Sequence, residues 1–119
     1  MKALLVNGSP HPRGCTYTAL TELKNTLEAE DIEVELLHVG NKDIRGCIAC
    51  RKCAQTGKSV FDDVVNEVAP KLAEAGAFVI GCPVYFASPA GGAISFMDRL
   101  FFSTLGIDKT MKVGASVVC

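Results

Sequence analysis

The chain opens on a short apolar run, residues 2–7, that stops abruptly at Gly8. It then passes through Ser9, Pro10, His11, Pro12, Arg13 and Gly14 into an amphipathic segment beginning at Thr16. A buried strand, a polar loop and a helix in that order form the first half of a βα unit and bring the helix start to the carboxyl end of the strand. The first amides of a helix have no intrahelical acceptor, and the helix dipole favours an anion beside them. Ser9, Thr16 and Thr18 add hydroxyls and Arg13 adds positive charge. The sequence predicts a phosphate-holding loop here. The competing reading is a polar turn in which Thr16 simply caps the helix.

The rest of the chain alternates in the same way. Leu20, Leu23 and Leu27 recur at helical spacing from Thr16 to about Glu30. Residues 32–39 alternate apolar and polar as a strand near a sheet edge does. Residues 40–59 form a long segment, predicted as loop, that holds three clustered cysteines. Asp62 and Asp63 signal a helix start. Val64, Val65, Val68, Leu72 and Ala75 supply its apolar face, and Pro70 is expected to kink or divide it. Residues 77–81 read as a third buried strand, 82–89 as a loop, 92–102 as a helix and 112–119 as a fourth strand. Strands alternating with helices predict an α/β fold, a doubly wound parallel sheet with helices on both faces. Ligands in such sheets lie beyond the carboxyl ends of the strands, where strand order reverses. The loops after the first and third strands are therefore the ones that matter.

With 119 residues, 49% of them hydrophobic, the chain suits one domain with a real core. A net charge of −1 without a basic cluster argues against nucleic acid as a partner. The apolar stretches at 77–81 and 113–119 fall well short of the ~20 residues of a membrane helix. The sequence Asn7-Gly8-Ser9-Pro10 cuts off any signal-peptide core. We therefore expect a soluble cytoplasmic protein with no membrane partner and with its six cysteines reduced.

The spaced glycines of the dinucleotide fingerprint are absent, as is the Lys-Ser/Thr pair of the triphosphate loop. A loop rich in Ser and Thr suits a single terminal phosphate, such as that of flavin mononucleotide (FMN). Beyond the third strand, Pro83-Val84-Tyr85-Phe86 places two adjacent aromatics near a strand end, followed by Ser88, Gly91 and Gly92. Amides there suit a flat heterocycle, with Tyr85 or Phe86 at its edge. The alternative is that both rings plug the core.

Together, Gly8-Ser9-Pro10 through Thr16, the cysteine segment, Asp62-Asp63, Pro83-Val84-Tyr85-Phe86 and Asp98-Arg99 resemble the flavodoxin-like, NAD(P)H-dependent FMN reductases, and among them the iron–sulfur flavoprotein branch. The resemblance runs over nearly the whole chain. It implies a flavodoxin-like fold, FMN as cofactor, NAD(P)H as electron donor and a homodimer or homotetramer. It places Ser9, Arg13, Cys15, Thr16 and Tyr17 around the phosphate, and Pro83, Val84, Tyr85, Phe86 and Ser88 against the isoalloxazine ring. Many relatives carry Asn where Cys15 stands.

Cys47, Cys50 and Cys53 are spaced compactly enough for iron–sulfur ligation, in which thiolates converge on one cluster. The resemblance implies a fourth cysteine a few residues on, and Ser59 stands at that position. A 4Fe-4S cluster, a cluster with one open iron and three free thiols all remain readings of this segment. Cys82 reads as a small buried residue, His11 as solvated, His38 as a strand-end residue, and Asp98-Arg99 as a helix-end or subunit-contact pair. No residue pattern marks a nucleophile, general acid or general base.

A flavodoxin-like sheet has five strands in the order 2-1-3-4-5. This sequence supplies four, so the expectation is order 2-1-3-4 in one domain, residues 1–119, incomplete at the C-terminal side. The leading functional expectation is an FMN-dependent oxidoreductase passing electrons from NAD(P)H to a small molecule, a quinone or a protein. An electron carrier without turnover of its own, and a thiol- or metal-based interaction module, are the alternatives.

Overall fold

Lys2–Asn7 forms strand β1, and its burial explains the rest of the sheet. Ala3, Leu4, Leu5 and Val6 are all fully buried. Leu4 and Val6 belong to one apolar cluster, Ala3 and Leu5 to another on the opposite face. A strand apolar on both faces belongs in the middle of a sheet covered on both sides. In this computed structural model, which describes residues 1–119, β1 pairs in parallel with β2 (Glu33–His38) and with β3 (Ala77–Cys82). Strand β4 (Val113–Val118) pairs in parallel with β3, giving the order β2-β1-β3-β4. The predicted order is found, and strand order reverses between β1 and β3.

Helix α1 (Cys15–Ala29) covers one face, where Leu20 packs with Ala3, Leu5 and Val79. Helices α3 (Val64–Glu74) and α4 (Gly91–Ser103) cover the other. There Val65, Val68, Leu72, Phe96 and Leu100 join Leu4, Val6, Phe78 and Ile80 in the main core. Burial of such side chains contributes about 1.5–3 kcal/mol each. Edge strand β4 is exposed along most of its length.

Two local expectations are corrected. Residues 40–59 are not entirely loop, because Cys53–Thr56 make one helical turn, α2, closed by Gly57 in the left-handed conformation. Nor does Pro70 divide the second long helix, which runs unbroken from Val64 to Glu74. Pro70 sits on the exposed side, so its ring and the carbonyl it leaves without a donor face water rather than the core. The helix is secured instead at its start, where the Asp63 carboxylate accepts the Val65 N–H at 3.0 Å.

An ionic cluster ties β2 to α3 across the sheet end. Glu35 accepts from Lys71 and lies 3.7 Å from the Lys2 ammonium. The hydrogen bond from Lys71 is the main cause of a lowered Glu35 pKa, with the charges of both lysines adding to it against partial burial. A carboxyl whose folded pKa is depressed stabilises the fold above its unfolded pKa, and that contribution disappears as pH falls through the folded value. Thermal unfolding of Glu35→Gln and the native chain is therefore expected to differ at pH 7, with the native chain more stable, and to converge as pH falls below the ordinary glutamate range.

Candidate functional site

At the tip of β1 the Asn7 side chain turns back under the following loop. Its Oδ1 accepts the Ser9 N–H at 2.9 Å, while its Nδ2 is buried without a partner in the chain. The Asn7 carbonyl accepts N–H groups from both Val39 and Gly40, at 2.9 and 3.1 Å. Ser9 is buried; its hydroxyl accepts the His11 N–H at 3.2 Å. His38, at the end of β2, donates from Nε2 to the Ser9 carbonyl at 2.7 Å, which sets its tautomer. Gly40 presses against the same loop: a Cβ there would lie 2.1 Å from the Ser9 carbonyl oxygen. The end of β2 thus backs the loop after β1 so closely that no side chain fits between them.

The loop delivers a helix end that nothing in the chain caps. Gly14 is the N-cap and supplies no side-chain acceptor, so Thr16 is not the cap. The first α1 amide to find a backbone acceptor is Thr18, bonded to Gly14 at 3.0 Å. The amides of Cys15, Thr16 and Tyr17 have none. Thr16 is buried, Tyr17 half-buried, and Arg13, Cys15 and Thr18 are exposed. The Thr18 hydroxyl donates to the Gly14 carbonyl at 3.1 Å. Arg13 borders both a hollow of about 150 Å³, shared with Asn7, Tyr17 and His38, and a wider open depression along Cys15 and Thr18.

The loop after β3 projects instead of folding inward. Tyr85 is 62% exposed and Phe86 93% exposed, so neither plugs the core. Val84 and Ser88 are also exposed and Pro83 is half-buried. The loop is closed at its base, where Ala90 N–H donates to the Pro83 carbonyl and Val84 N–H to that of Cys119, both at 3.0 Å. At its tip Ala87 adopts φ 54°, a left-handed conformation that costs a residue with a Cβ roughly 1–2 kcal/mol. The amides of Tyr85, Phe86, Ala87 and Ser88 have no backbone acceptor. Strands β1 and β3 are neighbours with Asn7 opposite Gly81, and Gly8 N–H donates to the Gly81 carbonyl at 2.7 Å. The two predicted loops therefore leave the same sheet edge at the point of strand reversal.

The cysteine segment is organised by Arg99, whose side chain is 1% exposed. Its Nη1 and Nη2 reach both Asp63 carboxylate oxygens at 2.6 and 2.9 Å. Nε and Nη2 donate to the Ser59 hydroxyl at 3.1 and 2.9 Å, and further bonds run to the carbonyls of Phe61 and Arg45. Both Arg99 and Arg45 lie over the Phe61 ring, 5.2 and 4.8 Å from its centre. Arg99 is thus an internal anchor, which corrects its reading as a helix-end or subunit contact; Asp98 beside it is exposed. Cys47 and Cys50 are exposed, Cys53 is half-buried and Cys82 is buried in the core, as expected.

A family model described as NADPH-dependent FMN reductase matches residues 1–118. The chain belongs to that family. An iron–sulfur flavoprotein of Methanocaldococcus jannaschii is 34% identical over 117 residues, 98% of this chain and 61% of the relative. An iron–sulfur flavoprotein of Archaeoglobus fulgidus is 33% identical over 106 residues, 89% and 52% of the two chains. The chain thus spans about half to three-fifths of the length of these curated relatives. Among solved structures, RosB with a bound riboflavin-phosphate derivative superposes with TM-score 0.74 at 20% identity, over all of this chain and 52% of that one. The apo form of the NADH:FMN oxidoreductase EmoB superposes with TM-score 0.61 at 20% identity, over 98% and 75%. These likenesses establish the flavodoxin-like fold.

The residues of this member of the FMN reductase family fit the phosphate end of a flavin nucleotide: an uncapped helix start, a buried Asn7 amide without a partner, and a basic side chain beside them. As placed, they do not fit a four-iron cluster. Cys47, Cys50 and Cys53 line one hollow with Ser59, whose hydroxyl already accepts two N–H bonds from Arg99. No three metal-binding side chains meet around one centre.

Gly40, His38 and Arg99 escaped the sequence reading. Gly40 looked like the start of a loop. A signal for Arg99 was present, since it lies three residues beyond Phe96, beside the stripe made by Ala93, Phe96 and Leu100. Removing one partner of a buried ion pair strands the other charge. Asp63→Ala also removes the α3 cap, so it is expected to lower folding stability by about 3–5 kcal/mol, measured by urea unfolding.

Proposed function

We propose that this chain forms the FMN-binding part of an oxidoreductase that takes electrons from NAD(P)H and passes them to a small molecule, a quinone or a redox protein. The observation that carries the proposal is the uncapped start of α1 at the carboxyl edge of β1, held against β2 by His38 and Gly40. Family membership supports the same cofactor.

In this reading the free amides of Cys15, Thr16 and Tyr17 receive the phosphate, the Thr16 and Ser9 hydroxyls line its seat, and Arg13 supplies the countercharge. Thr18 contributes through the helix start it braces. Pro83, Val84, Tyr85, Phe86 and Ser88 meet the ring, with the loop amides facing its polar edge and an aromatic side chain lying against it. Bound flavin supplies hydride acceptance and electron release. The chain's own residues bind and orient it, and none is assigned to proton transfer.

The proposal extends to a single flavodoxin-like domain over residues 1–119, to a cytoplasmic location, and to a homodimer or homotetramer.

Titration of the chain with FMN, followed by quenching of flavin fluorescence, tests the central claim. Saturable one-to-one binding is expected, weakened at least about ten-fold in Gly40→Ala, because the new methyl must push the Ser9 carbonyl out of place. Equal binding by both proteins would remove the phosphate loop from the site. Steady NAD(P)H oxidation by the loaded protein with a quinone supports turnover, whereas a single stoichiometric reduction would make it an electron carrier.

A further inference from the structure

Ser59 stands where the resemblance to iron–sulfur flavoproteins implies a fourth cysteine, and its surroundings give it another task. Its hydroxyl accepts two N–H bonds from Arg99, at 3.1 and 2.9 Å. A neutral hydroxyl oxygen has two lone pairs, and both are used. Its backbone is also engaged: Ser59 N–H donates to Asn66 Oδ1 at 2.9 Å, and Asn66 Nδ2 donates to the Ser59 carbonyl at 3.1 Å. We propose that Ser59 is the acceptor end of an Arg99 clip that holds residues 45–63 against α4, and that Cys47, Cys50 and Cys53 stand beside it as three free thiols without a four-iron cluster.

Three observations carry this. The guanidinium is always charged and offers five N–H donors in a fixed fork, so giving Ser59 to iron would leave the buried Nε–H unmatched. Its charge is already balanced by the bidentate Asp63 carboxylate, so it does not call for an anionic cluster beside it. The clip also does the work that a metal centre does in a small domain. It joins Arg45, Ser59, Phe61 and Asp63, from both sides of the cysteine turns, to one buried side chain on α4. A cluster of this type takes four protein ligands. Here the residue at the implied fourth position is a hydrogen-bond acceptor, and no three metal-binding side chains meet around one centre.

The first test is anaerobic reconstitution of the full chain with ferrous iron, sulfide and thiol, followed by desalting and assay of bound iron and acid-labile sulfide. The native chain is expected to retain no more of either than a variant carrying Cys47→Ser, Cys50→Ser and Cys53→Ser together. Retention of iron and sulfide above that variant overturns the proposal. The second test is limited trypsin digestion, since Arg45, Arg51, Lys52 and Lys58 offer cleavage sites in the segment. Ser59→Ala is expected to be cut there roughly ten-fold faster than the native chain. Ser59→Thr, which keeps the acceptor oxygen, is expected to be cut at the native rate. Equal resistance of the Ala variant and the native chain, or equal sensitivity of the Ala and Thr variants, overturns the clip. Neither test uses flavin, so their outcome is independent of the proposed cofactor.

Discussion

The structure on the α3–α4 face depends on one buried cation. Arg99 would cost several kcal/mol to hold away from water without partners, and the chain meets that cost by wrapping the Asp63 carboxylate, the Ser59 hydroxyl and two backbone carbonyls around it. Asp63 then works twice, because the oxygen that receives Arg99 Nη2 also caps α3 through Val65. Ordering of the cysteine segment, the start of α3 and the seating of α4 are therefore not separate events. A polar residue on the core side of α4 fixes which loop conformation is native, a selectivity that apolar contacts, being non-directional, do not supply.

The opposite requirement governs the carboxyl edge of the sheet. There the backbone itself must come close, and side chains are excluded. Gly40 touches the Ser9 carbonyl, Gly8 donates to Gly81, and a Cβ on Gly81 would run into Thr16 at 2.7 Å. These contacts pull the first turn of α1 down onto β1 and β3 and leave its amides facing outward. The supports of this turn are backbone hydrogen bonds plus a single imidazole, so an anion bound there as proposed would need little further ordering. Placing binding groups on loops held by a stiff sheet is the general solution for a parallel α/β fold.

Much of this was legible in the sequence because two periods carry it. The apolar run at 2–7 and the leucines at 20, 23 and 27 read correctly, since burial on both faces of a strand and on one stripe of a helix leaves a direct record in residue type. The strand order followed from βα alternation. Three things were missed. The Pro70 helix survives because the proline faces water, and orientation is a tertiary fact. Arg99 was misread because a charged residue near a helix end is usually solvated, and its acceptors come from residues far away along the chain. The roles of His38 and Gly40 depend on β2 lying beside β1, which no local pattern states.

The two halves of the candidate site are built to different standards, and the difference has a physical source. The proposed phosphate side rests on buried Asn7, Ser9 and Thr16 and is held by neighbours on both flanks of β1. The aromatic side stands out from the surface, with Phe86 almost wholly in water and a left-handed residue at its tip. Large exposed aromatics beside unpaired amides mark a surface that is completed by something else. The base of that loop is bonded to the end of β4 through Val84 and Cys119, and β4 is the exposed edge of the sheet. In the proposed reading, anchoring a ligand's phosphate on the braced side and its ring against the projecting loop separates retention of a nucleotide from access to its reactive face.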